Sequence, residues 1–466
     1  MAIQFNTFSS QTILNNLTKL STQLVLSNEH LATAKRINRA ADDPSGIVAL
    51  SQFRSEMAGI DAATTNGQRI VNILDTADGG LSEISDLLDM IDTKVIAASD
   101  AGATSEEKAA YQLEIDAAIN AVNTIVNETT FNNSRLLDGS LGYVTSSVDT
   151  ADLQDLRVNA ADTSSGSQSI SVNVTGIAQK GTLTYADGAL AQNTDFTVSG
   201  NLGTYDFSFT AGTNVATMAS TIEAKKDTTG VSAVNSGGNL VLTSLEYGDE
   251  EFVSVDVTLG TFPFTSGTTS EYGADPTVLV NGQAASADGL SVNSTRNSLS
   301  TRFTLTEAFA TALGSSTYNI DAGGAEFQLN AKASTRIDLG VSSLSASHLG
   351  NDAVGRLNTL KSGGTNSVDS GNFNQARQIV SAGSSLVSYE RGRLGAVSRY
   401  SVTSTLNAMA ESKTQITSAI SNIEDLNIAQ ETANNVQLQA MLEVNTALLG
   451  TINNNTRTIL SLISGI

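Results

Sequence analysis

Residues 438–466 read LQAMLEVNTALLGTINNNTRTILSLISGI, and one series runs through them: Leu438, Leu442, Asn445, Leu449, Ile452, Thr456, Ile459, Ile463 and Ile466. The spacing alternates four and three, the heptad seam of a helix that packs against another helix. A helix of this length spans roughly 43 Å at about 1.5 Å per residue, yet its only ionised side chains are Glu443 and Arg457. Soluble helices normally carry a charged outer face. This stretch hardly has one, so its seam and its flanks are both expected to meet protein, and the chain is expected to complete itself in an assembly. Asn445 and Thr456 place polar groups in the seam. Such residues either are tolerated or fix register and partner number at some cost in stability.

The beginning of the chain repeats the pattern. Ile13, Leu17, Leu20, Leu24 and Leu31 share one helical face, and from Ile13 to Ala34 only Lys19 and Glu29 are charged. Two helices that each lack a place to bury a seam are expected to pair with one another. After Arg36-Ile37-Asn38-Arg39, Asp43 can cap a new helix and Pro44 fits its first position, where a missing N–H costs nothing. The seam of that helix is expected at Leu50, Phe53, Met57, Ile60, Thr64, Gly67, Val71, Leu74, Asp78, Leu81, Ser85, Leu88, Asp92 and Val95. Such length without a stop signal points to a rod. The loop 100–104 breaks it, and Thr104 or Ser105 can cap a third helix carrying Ile115, Ile119, Val122 and Val126, ending near Thr129.

Between about Ser164 and Gly340 the pattern changes to alternation, as in Ile170, Val172, Val174 and in Tyr205, Phe207, Phe209, with Gly, Asn, Asp and Ser between the runs. Short helices are expected near Val215 to Lys225 and Thr306 to Leu313. Helical periodicity returns at Asn374, with Leu406, Met409, Lys413, Ile416, Ile420 and Ile423 on one face. The predicted fold class is therefore α+β and multidomain: a discontinuous coiled-coil and helical-bundle core, its N- and C-terminal arms paired, with an inserted, mostly β region.

Composition narrows the function. The 466 residues are 40% hydrophobic but 5% aromatic, with no Trp and 3 Pro, which suits long aliphatic helices. A net charge of −22 argues against nucleic acid or an anionic membrane as partner, since both require clustered Lys and Arg. With no cysteine and only His30 and His348, neither disulfides nor a thiolate or histidine metal site is expected. No run of about 18 apolar residues predicts a membrane-spanning helix, and Met1 to Ser10 lacks the form of a cleavable secretory signal. Gly237-Gly238 and Gly363-Gly364 lack the context of a phosphate loop and read as turns. No cofactor and no enzymatic activity are expected.

Several motifs resemble bacterial flagellin. Lys35-Arg36-Ile37-Asn38-Arg39-Ala40-Ala41-Asp42-Asp43-Pro44-Ser45-Gly46 is similar to the signature that opens the family's rod. Asn66-Gly67-Gln68, residues 75–81 and Thr130-Phe131-Asn132-Asn133-Ser134-Arg135-Leu136-Leu137 follow suit, as do Arg391-Gly392-Arg393-Leu394-Gly395-Ala396 and Ile423-Glu424-Asp425-Leu426-Asn427-Ile428-Ala429. The likeness covers roughly the first 140 and last 95 residues, and 198–257 looks like a repeat module of some flagellin insertions.

The resemblance implies a filament subunit that polymerises with itself for swimming motility and lies outside the cell. It also implies export through the flagellar secretion apparatus without a cleaved signal, with an export chaperone and the filament cap and junction proteins as partners. It divides the chain into a terminal helix-pair domain (1–42 with 426–466), a helical rod (43–165 with 341–425) and a surface-exposed β insertion (166–340). The zinc-peptidase pentapeptide of some family insertions is absent. Thr265-Ser266-Gly267-Thr268-Thr269-Ser270 reads as a solvated loop, with O-linked glycans the alternative. A hook-filament junction protein and a secreted coiled-coil adhesin are the rival readings.

Two departures stand out. Thr33-Ala34 replace the small polar and glycine residues common before the Lys/Arg-Ile-Asn motif. Where many flagellins carry Leu-Gln-Arg-Val-Arg-Glu-Leu, recognised by the animal flagellin receptor, this chain reads Leu88-Asp89-Met90-Ile91-Asp92-Thr93-Lys94. Met90 and Asp92 stand at both arginine positions, so weak host recognition is expected; full-strength receptor signalling by purified monomer would refute it.

Overall fold

The computed structural model describes residues 2–163, 166–186, 188–296, 299–329 and 336–464; within these, the side chains of 2–9, 336, 338, 456, 459, 460 and 462–464 lie outside the description. The chain forms two compact units, one from residues 1–68, 328–335 and 402–466, the other from 69–327 and 336–401. The expected three-part division draws its boundaries elsewhere, at 43, 166, 341 and 426.

Helix α1 (Ala2–Thr33) ends at Ala34, which turns left-handed at φ +56°. Helix α2 (Pro44–Ala98) opens with Pro44 at its first position, and the Asp43 carboxylate accepts from the Gly46 N–H at 2.9 Å. Its buried positions are Gly46, Leu50, Ile60, Ala63, Gly67, Ile70, Leu74, Ala77, Leu81, Ile84, Leu88, Ile91, Val95 and Ala98. The seam thus differs from expectation at alternate positions, where Ala63, Ile70, Ala77, Ile84 and Ile91 replace Thr64, Val71, Asp78, Ser85 and Asp92. At two of these five positions the reason is electrostatic. A dry seam cannot hold unpaired carboxylates, and Asp78 and Asp92 instead sit at its edge, facing Arg391 and Arg377. Helix α3 (Ser105–Glu128) is capped by Thr104, with Glu107 closing a capping box.

The β region starts earlier than Ser164. Strands Tyr143–Ser146 and Leu153–Ala160 already belong to its sheets, because Leu153 and Val158 enter the same core as Ile170, Val172 and Val174. That core lies between two sheets. One is five-stranded, with Gln168–Gly176 between Thr277–Val280 and Gly314–Gly323; the other is four-stranded, with Leu299–Leu305 between Ser291–Arg296 and Leu153–Ala160. A second core is inserted between Gly176 and Thr277. It is built from a three-stranded and a four-stranded sheet, helix α4 (Val215–Glu223) and the short α5 (Lys226–Thr229), and it buries Phe196, Phe207, Phe209, Phe262 and Phe264. Gly237 and Gly238, both at positive φ, join Val231–Ser236 to Asn239–Ser244 as a hairpin. The short α6 (Glu307–Ala310), capped by Thr306, belongs to the first core.

The C-terminal arm comprises α7 (Phe373–Ala396), a π-helical stretch (Val397–Thr403), α8 (Ser404–Glu424) and α9 (Ile428–Ser464). The architecture is α+β, helical arms bracketing a β middle. No described helix is long and apolar enough to cross a membrane.

Candidate assembly site

Helices α1 and α9 pack antiparallel. The Leu426 N–H donates to the Ala34 carbonyl at 3.1 Å, His30 Nδ1 lies 4.0 Å from Glu431 Oε1, and Asn435 meets Ser27, so rising numbers on one helix meet falling numbers on the other. On α1, Ile13 is buried while Leu17, Leu20, Leu24 and Leu31 are half-buried. On α9, Leu438 is buried and Leu442, Asn445, Leu449 and Ile452 are half-buried. The side chains of Thr456, Ile459 and Ile463 lie outside the described residues, as does Ile466.

Two helices can cover only one stripe of each other. Among the described residues other apolar side chains stay uncovered: Leu14, Val25 and Leu26 on α1, and Ile428, Val436, Met441, Val444 and Leu448 on α9, the most open being Val444 at 65% exposure. Moving one such Val, Leu or Met from water to a full contact yields about 1.5–3 kcal/mol. This surface offers that gain to whatever covers it, and it carries little charge that would oppose contact.

Within the seam, a polar cluster was not anticipated. Asn435 is buried, and its amide N–H groups donate to Ser27 Oγ at 3.1 Å and Asn28 Oδ1 at 2.9 Å, while its carbonyl oxygen accepts from Gln439 Nε2 at 2.8 Å. Extending the heptad spacing back from Leu438 reaches Asn435, and Ser27 fills the gap between Leu24 and Leu31, so the signal was available. Asn445 behaves differently. Its amide donates to Met441 O on its own helix at 2.8 Å.

The joint after α1 is tied to the end of α8. The Glu424 carboxylate, 7% exposed, takes the Lys35 ammonium on one oxygen and Arg54 Nη2 on the other at 2.6 Å. Arg36 donates its backbone N–H to Glu424 O and its guanidinium to Ile423 O, both at 2.7 Å. These contacts, led by the Lys35 hydrogen bond, hold the Glu424 pKa below the ordinary glutamate value. Asp42 accepts from the N–H groups of Asn38 (2.9 Å) and Arg39 (2.8 Å), which close the turn and lower its pKa; the Gly46 N–H does the same for Asp43. Arg39 pairs with Glu29 at 2.7 Å.

The remaining signature residues lie in the other unit. Arg391 Nε meets Asp78 Oδ1 at 2.9 Å, Leu394 is buried, and Arg393 Nη2 donates to Gly340 O at 2.6 Å and to the buried Glu390 at 2.7 Å. Met90 is exposed, and Asp92 faces Arg377 at 3.4 Å. Among the described residues no group of three or more His, Asp or Glu side chains is placed to hold a metal ion. The arrangement supplies an uncovered apolar surface and a joint of fixed geometry.

The family model described as the bacterial flagellin N-terminal helical region matches residues 5–141, and that of the flagellin hook IN motif matches 195–246. A flagellin of Clostridium tyrobutyricum is 30% identical over 191 residues, 40% of this chain and 50% of the relative. A flagellin of Bacillus subtilis is 32% identical over 168 residues, 34% of this chain and 53% of the relative. The chain spans about half the length of these curated relatives. A solved flagellar junction protein from Legionella pneumophila aligns with 78% of this chain and 99% of its own at 13% identity, with a TM-score of 0.25.

Proposed function

We propose that this chain, whose residues 5–141 match the bacterial flagellin N-terminal helical region, is a flagellin-type structural subunit that polymerises with copies of itself into a flagellar filament outside the cell. The observation that carries the reading is the α1/α9 pair, whose outer apolar residues are exposed among the described residues. Copies of the same surface in head-to-tail contact extend without closing and so generate a helix. In this reading, residues 1–42 with 426–466 line the inside of the filament, 43–165 with 341–425 form the surrounding rod, and 166–340 face solvent, where Thr265 to Ser270 form a solvated loop or, in the alternative, carry O-linked glycans. Export by the flagellar secretion apparatus with a chaperone, and contact with cap and junction proteins, belong to the same proposal.

Purified subunit added to sheared filament seeds is expected to elongate them to micrometre length, followed by electron microscopy. A junction protein or an adhesin would not propagate. Absence of elongation over a wide range of subunit concentrations and salt would sink the filament reading.

A further inference from the structure

We propose that Asn435 and Ser27 form a register lock that specifies which turn of α9 lies against which turn of α1. The apolar seam cannot do this alone. Apart from Ser27, the α1 series Ile13, Leu17, Leu20, Leu24, Leu31 is aliphatic, and α9 offers Leu438, Leu442, Leu449 and Ile452. Sliding one helix by a heptad therefore sets aliphatic side chains against aliphatic side chains again, at nearly equal hydrophobic gain.

The polar pair breaks that degeneracy. In the observed register the Asn435 amide, 5% exposed, has every hydrogen-bonding group paired: N–H to Ser27 Oγ and to Asn28 Oδ1, and oxygen to the Gln439 amide. A slip of seven residues, roughly 10 Å along the axis, would bring Asn435 opposite Leu20 or Ala34 and Ser27 opposite Leu442 or Ile428. The Gln439 bond lies within α9 and would travel with it, but the two amide N–H groups would lose Ser27 and Asn28 without regaining water, a larger penalty than those bonds are worth when made. A single seam asparagine is an established device for fixing coiled-coil register.

Asn445 lacks this power. Its amide bonds to Met441 on its own helix, and that bond travels with α9 in every register. The joint contributes less, because its ion pairs use Lys35 and Arg54, each about half exposed, and exposed pairs hold weakly. The lock is a property of one chain; only its effect on how subunits stack rests on the filament reading.

The absence of cysteine makes the test direct. Cysteines at the exposed positions Asn16 and Glu443 carry nitroxide labels in the full-length chain, and pulsed electron paramagnetic resonance reads their separation. The parent chain should give one narrow distance. The Ser27→Leu/Asn435→Leu double variant should stay helical by circular dichroism but show a second population, with the slipped fraction raised at least about fivefold. The exchanged pair Ser27→Asn/Asn435→Ser, which keeps an amide and a hydroxyl across the seam, should restore the single distance. The proposal is overturned by an unchanged narrow distance in the apolar variant, by a split distance in the exchanged variant, or by a broad distribution in the parent. Failure of the filament reading would appear separately, as absent seeded elongation with these distances unaltered.

Discussion

The second β core and the terminal helix pair solve the burial problem in opposite ways. In residues 183–264, Leu183, Val198, Met218, Ile222, Leu240 and Val253 are all fully buried, and Phe196 stacks within 4.6 Å of Phe262, itself 4.1 Å from Tyr185. On α1 and α9 the seam leucines are mostly half-buried, and open valines and leucines flank them. The β core is closed by its own sequence. The helix pair satisfies one stripe only, so its stability belongs partly to whatever covers the rest, while its geometry is set by a few polar contacts.

The largest test of this contrast is Phe196→Ala. Removing a fully packed aromatic costs about 3–5 kcal/mol, and in a closed core nothing outside compensates. Calorimetry should show a loss of that size in the transition of the β insertion, with seeded elongation unchanged. Loss of elongation in a variant whose helices remain intact would show that the two regions are not energetically separate.

How far the sequence disclosed this depended on the range of the contacts. Local rules worked where one residue answers its neighbours: Asp43 and Pro44 marked the start of α2, the Thr104 cap marked α3, and alternating Ile170, Val172 and Val174 marked a two-faced strand. They failed where the partner is remote. Asp78 and Asp92 sit one residue off the α2 seam, where arginines on α7 receive them, and periodicity alone cannot tell an edge position from a buried one when both recur every seven residues. The strands at 143–146 and 153–160 hid inside an expected rod, since their partners lie more than 100 residues later. Glu424 was visible as part of a motif, but its hold on Arg54, 370 residues away, was not.

That hold gives a smaller, pH-dependent test. With partners about half exposed, Glu424→Gln should weaken the joint by about 1 kcal/mol at neutral pH. The sign follows from the lowered folded-state pKa, for which the Lys35 hydrogen bond is the first cause. The contribution is fully present above the ordinary glutamate value of 4.5 and disappears as pH falls through the lower folded value. Wild type and variant should therefore differ in amide exchange at residues 34–36 at neutral pH and converge in acid. A constant difference across that range would mean that the carboxylate charge is not what pins the joint.

The smallest expected effect lies one residue before Lys35, and it probes backbone conformation rather than contacts. Ala34 holds φ +56°, a left-handed conformation that costs a residue with a Cβ about 1–2 kcal/mol. Glycine adopts it freely, but its looser unfolded chain takes back about 0.4–1 kcal/mol. Ala34→Gly should therefore stabilise the end of α1 by about 0.5–1 kcal/mol, whereas Ala34→Val, whose branched side chain crowds the same turn, should destabilise it. Since Phe196 and its neighbours make no use of this turn, both changes should register in the exchange of α1 amides and leave the melting of the β core where it was. If glycine proves neutral or harmful, the left-handed turn is not where the pair stores strain, and the joint would owe its shape to Glu424 and the Ala34 to Leu426 hydrogen bond alone.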